Sequence, residues 1–266
     1  GVGVSRVGPA GNRSCNLSAS QPMHLTTTQI AQFQETGLLY LPSLLSQEML
    51  AALQTALPEI LARRGPEVIP EKDNPDSPRL VFGAHHYCEA FRKLSLSRRL
   101  LQPIQQLLAE DVYLHQSRIN PKQGMGHGGS WDWHQDYPPW HTIDGMPEPR
   151  CIVAAVFIDA CTAVNSPLLV VPGSHRQGLL DSRLHEDARG RGYALHHIDS
   201  STLTRLADQH GIEALVGPAG SVAFVHCNLV HGSAPNVSPW RRAIAYLIYN
   251  AVGNACTRDD RPWYQN

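Results

Sequence analysis

Charge is scarce in this sequence. Only 17% of its 266 residues are Asp, Glu, Lys or Arg, and the formal net charge is -1. A nucleic-acid surface or a polyelectrolyte partner needs a field of one sign, so neither is expected to organise this chain. Long apolar runs are also missing. None approaches the length of a membrane span, and the first twenty residues lack the hydrophobic middle of a signal peptide, so no membrane association is expected and the cytoplasm is the default compartment. Cys-x-x-Cys spacing is absent as well. The six cysteines, at 15, 88, 151, 161, 227 and 256, are scattered. A chain of this length builds a core without staples, so they read as reduced thiols.

What is present is a globular composition, 42% hydrophobic. The length suits one large domain, because all-β barrels and sandwiches run to such sizes as single units. Residues 1–22, rich in Gly, Ser, Asn and Pro without periodicity, read as a mobile leader before a domain over 23–266. Thr26 to Thr28 offer an N-cap for a helix through Ile30 and Phe33 that Gly37 stops, and Leu38 to Pro42 read as a strand. Ser46 caps a second helix with Met49, Leu50, Leu53, Leu57, Ile60 and Leu61 at helical spacing, ended by Gly65-Pro66. The polar, proline-punctuated stretch 67–79 reads as a loop beside a pocket. A further helix starts near Ser97.

In the strand Val112 to Asn120, alternation sends Gln116, Arg118 and Asn120 to one face. Three polar side chains on one face need water or a ligand; the bland alternative is a solvated strand edge. Glycines 124, 126, 128 and 129 form a loop. Ile152 to Ile158 is apolar on both faces, as a strand between a second sheet and a covering helix would be. Leu168 to Val171 leads into Pro172-Gly173-Ser174-His175. Residues 176–200 read as a charged insert, and Thr202 to His210 as a short helix. Ser221 to His226 and Ala243 to Tyr249 are the last strands.

The centre of the chain is Trp131-Asp132-Trp133-His134-Gln135-Asp136. On a strand, His134 and Asp136 would point to one face and reach one metal ion. His-x-Asp alone is a weak signal, since the sequence holds 14 histidines and 23 acidic residues. Its partner is His231, in Leu229-Val230-His231-Gly232-Ser233. Two histidines and one carboxylate occupy one face of an octahedron and leave three positions open, the ligand pattern of non-haem Fe(II) oxygenases.

These segments, with Trp140 to Pro147, Val171 to His175 and Tyr249-Asn250, resemble the phytanoyl-CoA hydroxylase superfamily of Fe(II)/2-oxoglutarate-dependent dioxygenases. They are most similar to its ectoine hydroxylase and free amino acid hydroxylase branches. The likeness runs over roughly residues 24 to 252. It implies a mainly β fold with flanking helices, a double-stranded β-helix or cupin-like jelly roll. It also implies Fe(II) with 2-oxoglutarate and O2 as cosubstrates, succinate and CO2 as co-products, and a small-molecule substrate handled by a monomer or homodimer.

For 2-oxoglutarate the resemblance points to Arg242 and Ser233 at the far carboxylate, with Asn120, Arg118 and Trp131 beside it. Alternation alone leaves Arg241 and Arg242 open, because Ile244-Tyr246-Ile248 and Ala243-Ala245-Leu247 are both apolar sets. Gln116, Trp140 and Tyr246 match substrate contacts of ectoine hydroxylases. Val153, Val225 and Ile244 stand where those enzymes present polar or aromatic groups, so an aliphatic amino acid or derivative is the expected substrate. Asp136 argues against halogenation, since halogenases of the superfamily lack that carboxylate. Desaturation or oxidative cyclisation with the same cofactors, a non-catalytic jelly-roll binding protein and a hydrolytic zinc site remain the rival readings.

Overall fold

The structure, a computed structural model, describes residues 23–184 and 196–266. The expected leader and the middle of the 176–200 insert lie outside the described residues. Helix α1 (Thr27–Thr36) begins in a capping box made by Thr26 and Gln29, and ends where Gly37 enters the left-handed region at φ 72°. After strand β1 (Leu38–Leu41), helix α2 (Gln47–Leu61) starts with the Ser46 hydroxyl accepting from the Met49 N–H. It stops at Leu61, short of the Gly65-Pro66 expected to end it.

Residues 67–79 are not a loop: β2 (Val68–Glu71) and β3 (Asn74–Phe82) form an antiparallel hairpin in which Pro70 faces Pro78. β2 lies at the edge of its sheet, where a proline without an N–H leaves no partner strand unpaired. Short helices α3 (Ala84–Tyr87) and α4 (Glu89–Ser95) and the longer α5 (Arg98–Leu108) precede β4 (Val112–Asn120). Then come β5 (Trp131–His134), α6 (Tyr137–Thr142), β6 (Cys151–Phe157) and β7 (Leu168–Val170). The expected insert carries a two-stranded ribbon, β8 (Ser182–Leu184) and β9 (His196–Ile198), ahead of α7 (Ser200–His210). Strands β10 (Glu213–Leu215), β11 (Val222–His226), β12 (His231–Ser233) and β13 (Ile244–Ala251) complete the fold.

The large sheet has the order β1-β11-β6-β13-β4-β3-β2, and a four-stranded sheet has the order β10-β7-β12-β5. Together they form a jelly roll with helices on one side. Alternation divides the apolar residues between two cores. Ala154, Val156, Phe224, Ala245 and Leu247 face the helices with Leu53, Leu57 and Leu100, while Val153, Ala155, Val225, Ile244 and Ile248 face the second sheet with Leu168 and Val170. β6 is therefore covered on both faces, as its unbroken apolar run requires. Cys88, Cys151, Cys161, Cys227 and Cys256 are free thiols, and Cys15 lies outside the described residues. Among the described residues no helix is long and apolar enough to cross a membrane.

Candidate active site

His134 and His231 meet because they face each other across the β5–β12 pair, with ring centroids 4.2 Å apart. Asp136 arrives differently from the strand alternation expected for it. β5 ends at His134, and Asp136 sits past it at the N-cap of α6 with φ -82° and ψ -30°, so a turn folds the carboxylate back. The backbone N–H groups of Asp136 and Tyr137 both donate to the Cys227 carbonyl, fixing that turn. One carboxylate oxygen lies 3.6 Å from His134 Nε2 and the other 3.6 Å from His231 Nε2. One ligand atom from each residue falls within 4.8 Å of the others, and all three residues are buried.

Protonation favours metal binding. His134 Nδ1 lies 2.6 Å from the Asp132 carbonyl and His231 Nδ1 lies 2.8 Å from that of Leu229. A carbonyl only accepts, so each Nδ1 carries the proton and each Nε2 offers its lone pair toward Asp136. Burial and the neighbouring His134 lower His231 to about 4, so it is neutral at physiological pH. Burial raises the Asp136 carboxyl, but the Arg118 guanidinium beside it outweighs that and holds Asp136 ionised, well below the carboxylate range. Arg118 Nη2 donates to Asp136 Oδ1 at 2.9 Å. The set offers two imidazole nitrogens and one carboxylate on one side, with no thiolate, which fits Fe(II).

The triad opens into a cleft with about 430 Å³ of empty space counted to its open mouth, lined also by Arg118, Asn120, Trp131, Ser233 and Tyr246. Leu80, Leu168 and Gly232 line it too and escaped the sequence reading. Leu80 comes directly after the stretch 67–79 that was expected to be a loop, and Gly232 is there because a Cβ would stand 2.9 Å from the Trp131 carbonyl on the neighbouring strand. Gln116, Trp140, Val153, Val225 and Ile244 do not line this cleft. All five are buried, the last four within the core between the sheets, where Tyr246 packs against them.

Behind Asn120 lies Arg242, fully buried. Its Nε donates to the Ser166 carbonyl and its Nη1 to Asn120 Oδ1, while Nη2 has no partner among the described residues. No carboxylate among the described residues pairs with it. Arg241 points the other way and grips Asp159 through two bonds of 2.8 and 3.0 Å. Lys122 was overlooked, although it stands two residues beyond Asn120 in the spacing of Gln116, Arg118 and Asn120. It is buried, with Nζ donating to the carbonyls of Gly129 and Ala234. Burial and the charge of Arg242 push its pKa well down. A buried guanidinium with an unmatched N–H, beside a second basic group, calls for an anionic ligand.

A jelly roll carrying two histidines and a carboxylate, with a buried guanidinium behind the cleft-lining Asn120, defines a non-haem Fe(II)/2-oxoglutarate-dependent dioxygenase. Comparison with known proteins agrees. The phytanoyl-CoA dioxygenase (PhyH) family profile matches residues 33–244. An ectoine dioxygenase of Sphingopyxis alaskensis is 34% identical over 90% of this chain and 82% of its own length. An L-proline trans-4-hydroxylase of Streptomyces griseoviridis is 32% identical over 87% and 88%. The crystal structure of EctD from S. alaskensis with 2-oxoglutarate and 5-hydroxyectoine superposes with a TM-score of 0.78 at 34% identity, covering 90% of this chain and 83% of that one. The chain belongs to the phytanoyl-CoA dioxygenase family.

Proposed function

We propose that this enzyme hydroxylates an aliphatic C–H of a small amino acid or amino-acid derivative. The observation that carries the reading is the pairing of the His134-Asp136-His231 face with an interior arginine that has no anionic partner among the described residues. The relatives named for ectoine and L-proline supply the substrate class. His134, Asp136 and His231 would hold Fe(II), which with 2-oxoglutarate and O2 supplies the oxidation and leaves succinate and CO2 as co-products.

Around that chemistry the side chains orient and exclude. Arg242, with Ser233 and Asn120, takes the far carboxylate of 2-oxoglutarate in a planar two-pronged grip. Trp131 walls the cosubstrate side. Arg118 holds Asp136 through one oxygen and leaves the other oxygen directed to His231. Tyr246, which lines the cleft, receives the substrate, and Trp140, Val153, Val225 and Ile244 form the buried packing against which Tyr246 rests. The enzyme works as a monomer or homodimer in the cytoplasm.

The test pairs two measurements. Anaerobic Fe(II) with 2-oxoglutarate should give the weak visible charge-transfer band of the chelate. A screen over ectoine, L-proline and other small amino acids should then show succinate release matched by a product heavier by one oxygen. A product lighter by two hydrogens would replace hydroxylation by desaturation or cyclisation, and a folded protein with no band would remove the cofactor assignment.

A further inference from the structure

After β13 the chain does not leave the domain. Thr257 N–H donates to the Gly145 carbonyl and Arg258 Nη1 to that of Thr142, which holds the start of the segment against the end of α6. Arg261 then clasps Asp144 through Nε and Nη2, at 2.5 and 3.3 Å. Asp144 is buried and also receives His115 Nε2 at 3.1 Å. On the far side the ring of Tyr264 packs against Phe82 at 6.3 Å, and Trp263 meets His86 edge-on at 5.7 Å. Phe82 is the register partner of Arg118 across β3 and β4. Gly83, at φ 66°, lets the two backbones touch there: a Cβ would stand 2.9 Å from the Tyr264 carbonyl. The segment thus runs from α6 to α3 across β4.

Midway it meets Gln116. Gln116 Nε2 donates to the Gln265 carbonyl at 3.2 Å. Because that partner only accepts, the orientation of the amide is settled, and Oε1 is the end left over. Gln116 is 1% exposed, and its Oε1 has no partner among the described residues. A buried acceptor without a donor is costly by itself. It sits two residues from Arg118, on the strand face that bears the cleft-lining Arg118 and Asn120.

We propose that residues 256–266 form the substrate-side wall of the active site, with Gln265 positioning Gln116 so that its amide oxygen meets an N–H donor of a compact substrate. This rests on the reading of the cleft as the 2-oxoglutarate site. The wall belongs to the substrate half only. Its anchors, Asp144, Phe82 and Gly83, are none of the residues assigned to 2-oxoglutarate, so loosening it changes which molecules are admitted and leaves cosubstrate binding alone.

The experiment uses the full chain loaded with Fe(II) and 2-oxoglutarate without O2, in wild type, Arg261→Ala, Tyr264→Ala and Tyr264→Phe. The chelate band gives the 2-oxoglutarate constant, and calorimetry gives dissociation constants for ectoine, L-proline, L-leucine and L-tryptophan. Both alanine variants should alter the profile at least tenfold, by weaker binding of the compounds the wild type accepts or by admission of larger ones. Their 2-oxoglutarate constant should stay within twofold. Tyr264→Phe, which keeps the ring against Phe82, should match the wild type. Profiles identical to wild type, an empty profile in all four proteins included, overturn the proposal. So does a 2-oxoglutarate constant that weakens in step, since the segment would then merely support the fold. Absence of the band in the wild type itself identifies a failure of the cofactor reading and takes this proposal with it.

Discussion

Arg241 and Arg242 are neighbours with opposite fates. Arg242 is buried with an N–H that has no partner among the described residues, whereas Arg241 pairs with Asp159 at a partly exposed site. Truncating one partner of a desolvated charge pair costs about 2–5 kcal/mol. At tenfold per 1.4 kcal/mol, Arg242→Ala should therefore weaken 2-oxoglutarate binding by roughly 30-fold or more. Arg242→Lys should recover only part of this, lacking the planar fork. Arg241→Ala should leave the apparent 2-oxoglutarate constant near wild type, and an Arg241 variant failing where the Arg242 variant does not would reverse the assignment. Alternation could not choose between the two because β13 is covered on both faces, by helices on one and the second sheet on the other. The metal face was more legible, since a His-x-Asp segment and a distant His-Gly-Ser segment were both explicit. Only the means of bringing Asp136 inward, a turn instead of a strand, was hidden.

At the scale of elements, the hairpin β2–β3 is what sequence patterning missed. Pro70, Pro75 and Pro78 punctuate it, and edge placement is a tertiary fact that no local window carries. An ion pair joins its two strands, and the same arginine ties it to the segment before β5. Arg79, 3% exposed, pairs with Glu71 at 3.1 Å, donates to the Ser130 carbonyl at 2.7 Å and lies 3.9 Å from the centre of the Trp131 ring. Arg79→Ala strands the nearly buried Glu71 and removes the stack under Trp131. Breaking such a pair costs about 3–5 kcal/mol. Urea unfolding should show a loss of that order, with the Glu71→Gln, Arg79→Met double variant recovering part of it; a loss below 1 kcal/mol in Arg79→Ala would show that the hairpin is held by its backbone pairing alone. Elements with explicit end signals were by contrast readable. Thr26, Gly37 and Ser46 sit where caps and stops were expected.

The whole molecule carries half-buried histidines that weigh on its stability in acid. His85 lies 2.7 Å from the Ser117 hydroxyl with its ring 3.9 Å from that of His86, and His175 lies 4.9 Å from His226. Burial first, then the adjacent imidazoles, lower both His85 and His175 to about 4. The unfolded chain, with histidines near 6.5, binds more protons below that pH. Stability is therefore complete above about 6.5 and falls as pH drops through 4. Urea midpoints of the metal-free protein should decline from pH 7.5 to 5, less steeply in His175→Gln; equal slopes in the two proteins would remove His175 from the account.

The interior beside Asn120 has one more consequence. Lys122 and Arg242 lie together without an ion pair among the described residues, and burial first, then Arg242, disfavours the charged form of Lys122, so a dicarboxylate taken up beside them should add stability to the native state. Anything binding only the native state adds stability, about 2.7 kcal/mol at a hundred times its dissociation constant. 2-Oxoglutarate should raise the melting temperature measurably even without iron, acetate should not, and Arg242→Ala should abolish the shift; an equal shift in that variant would place the anion elsewhere. Resistance to proteolysis follows the same equilibrium when opening is fast, so the working lifetime of the enzyme, and not its rate alone, would track the supply of its cosubstrate.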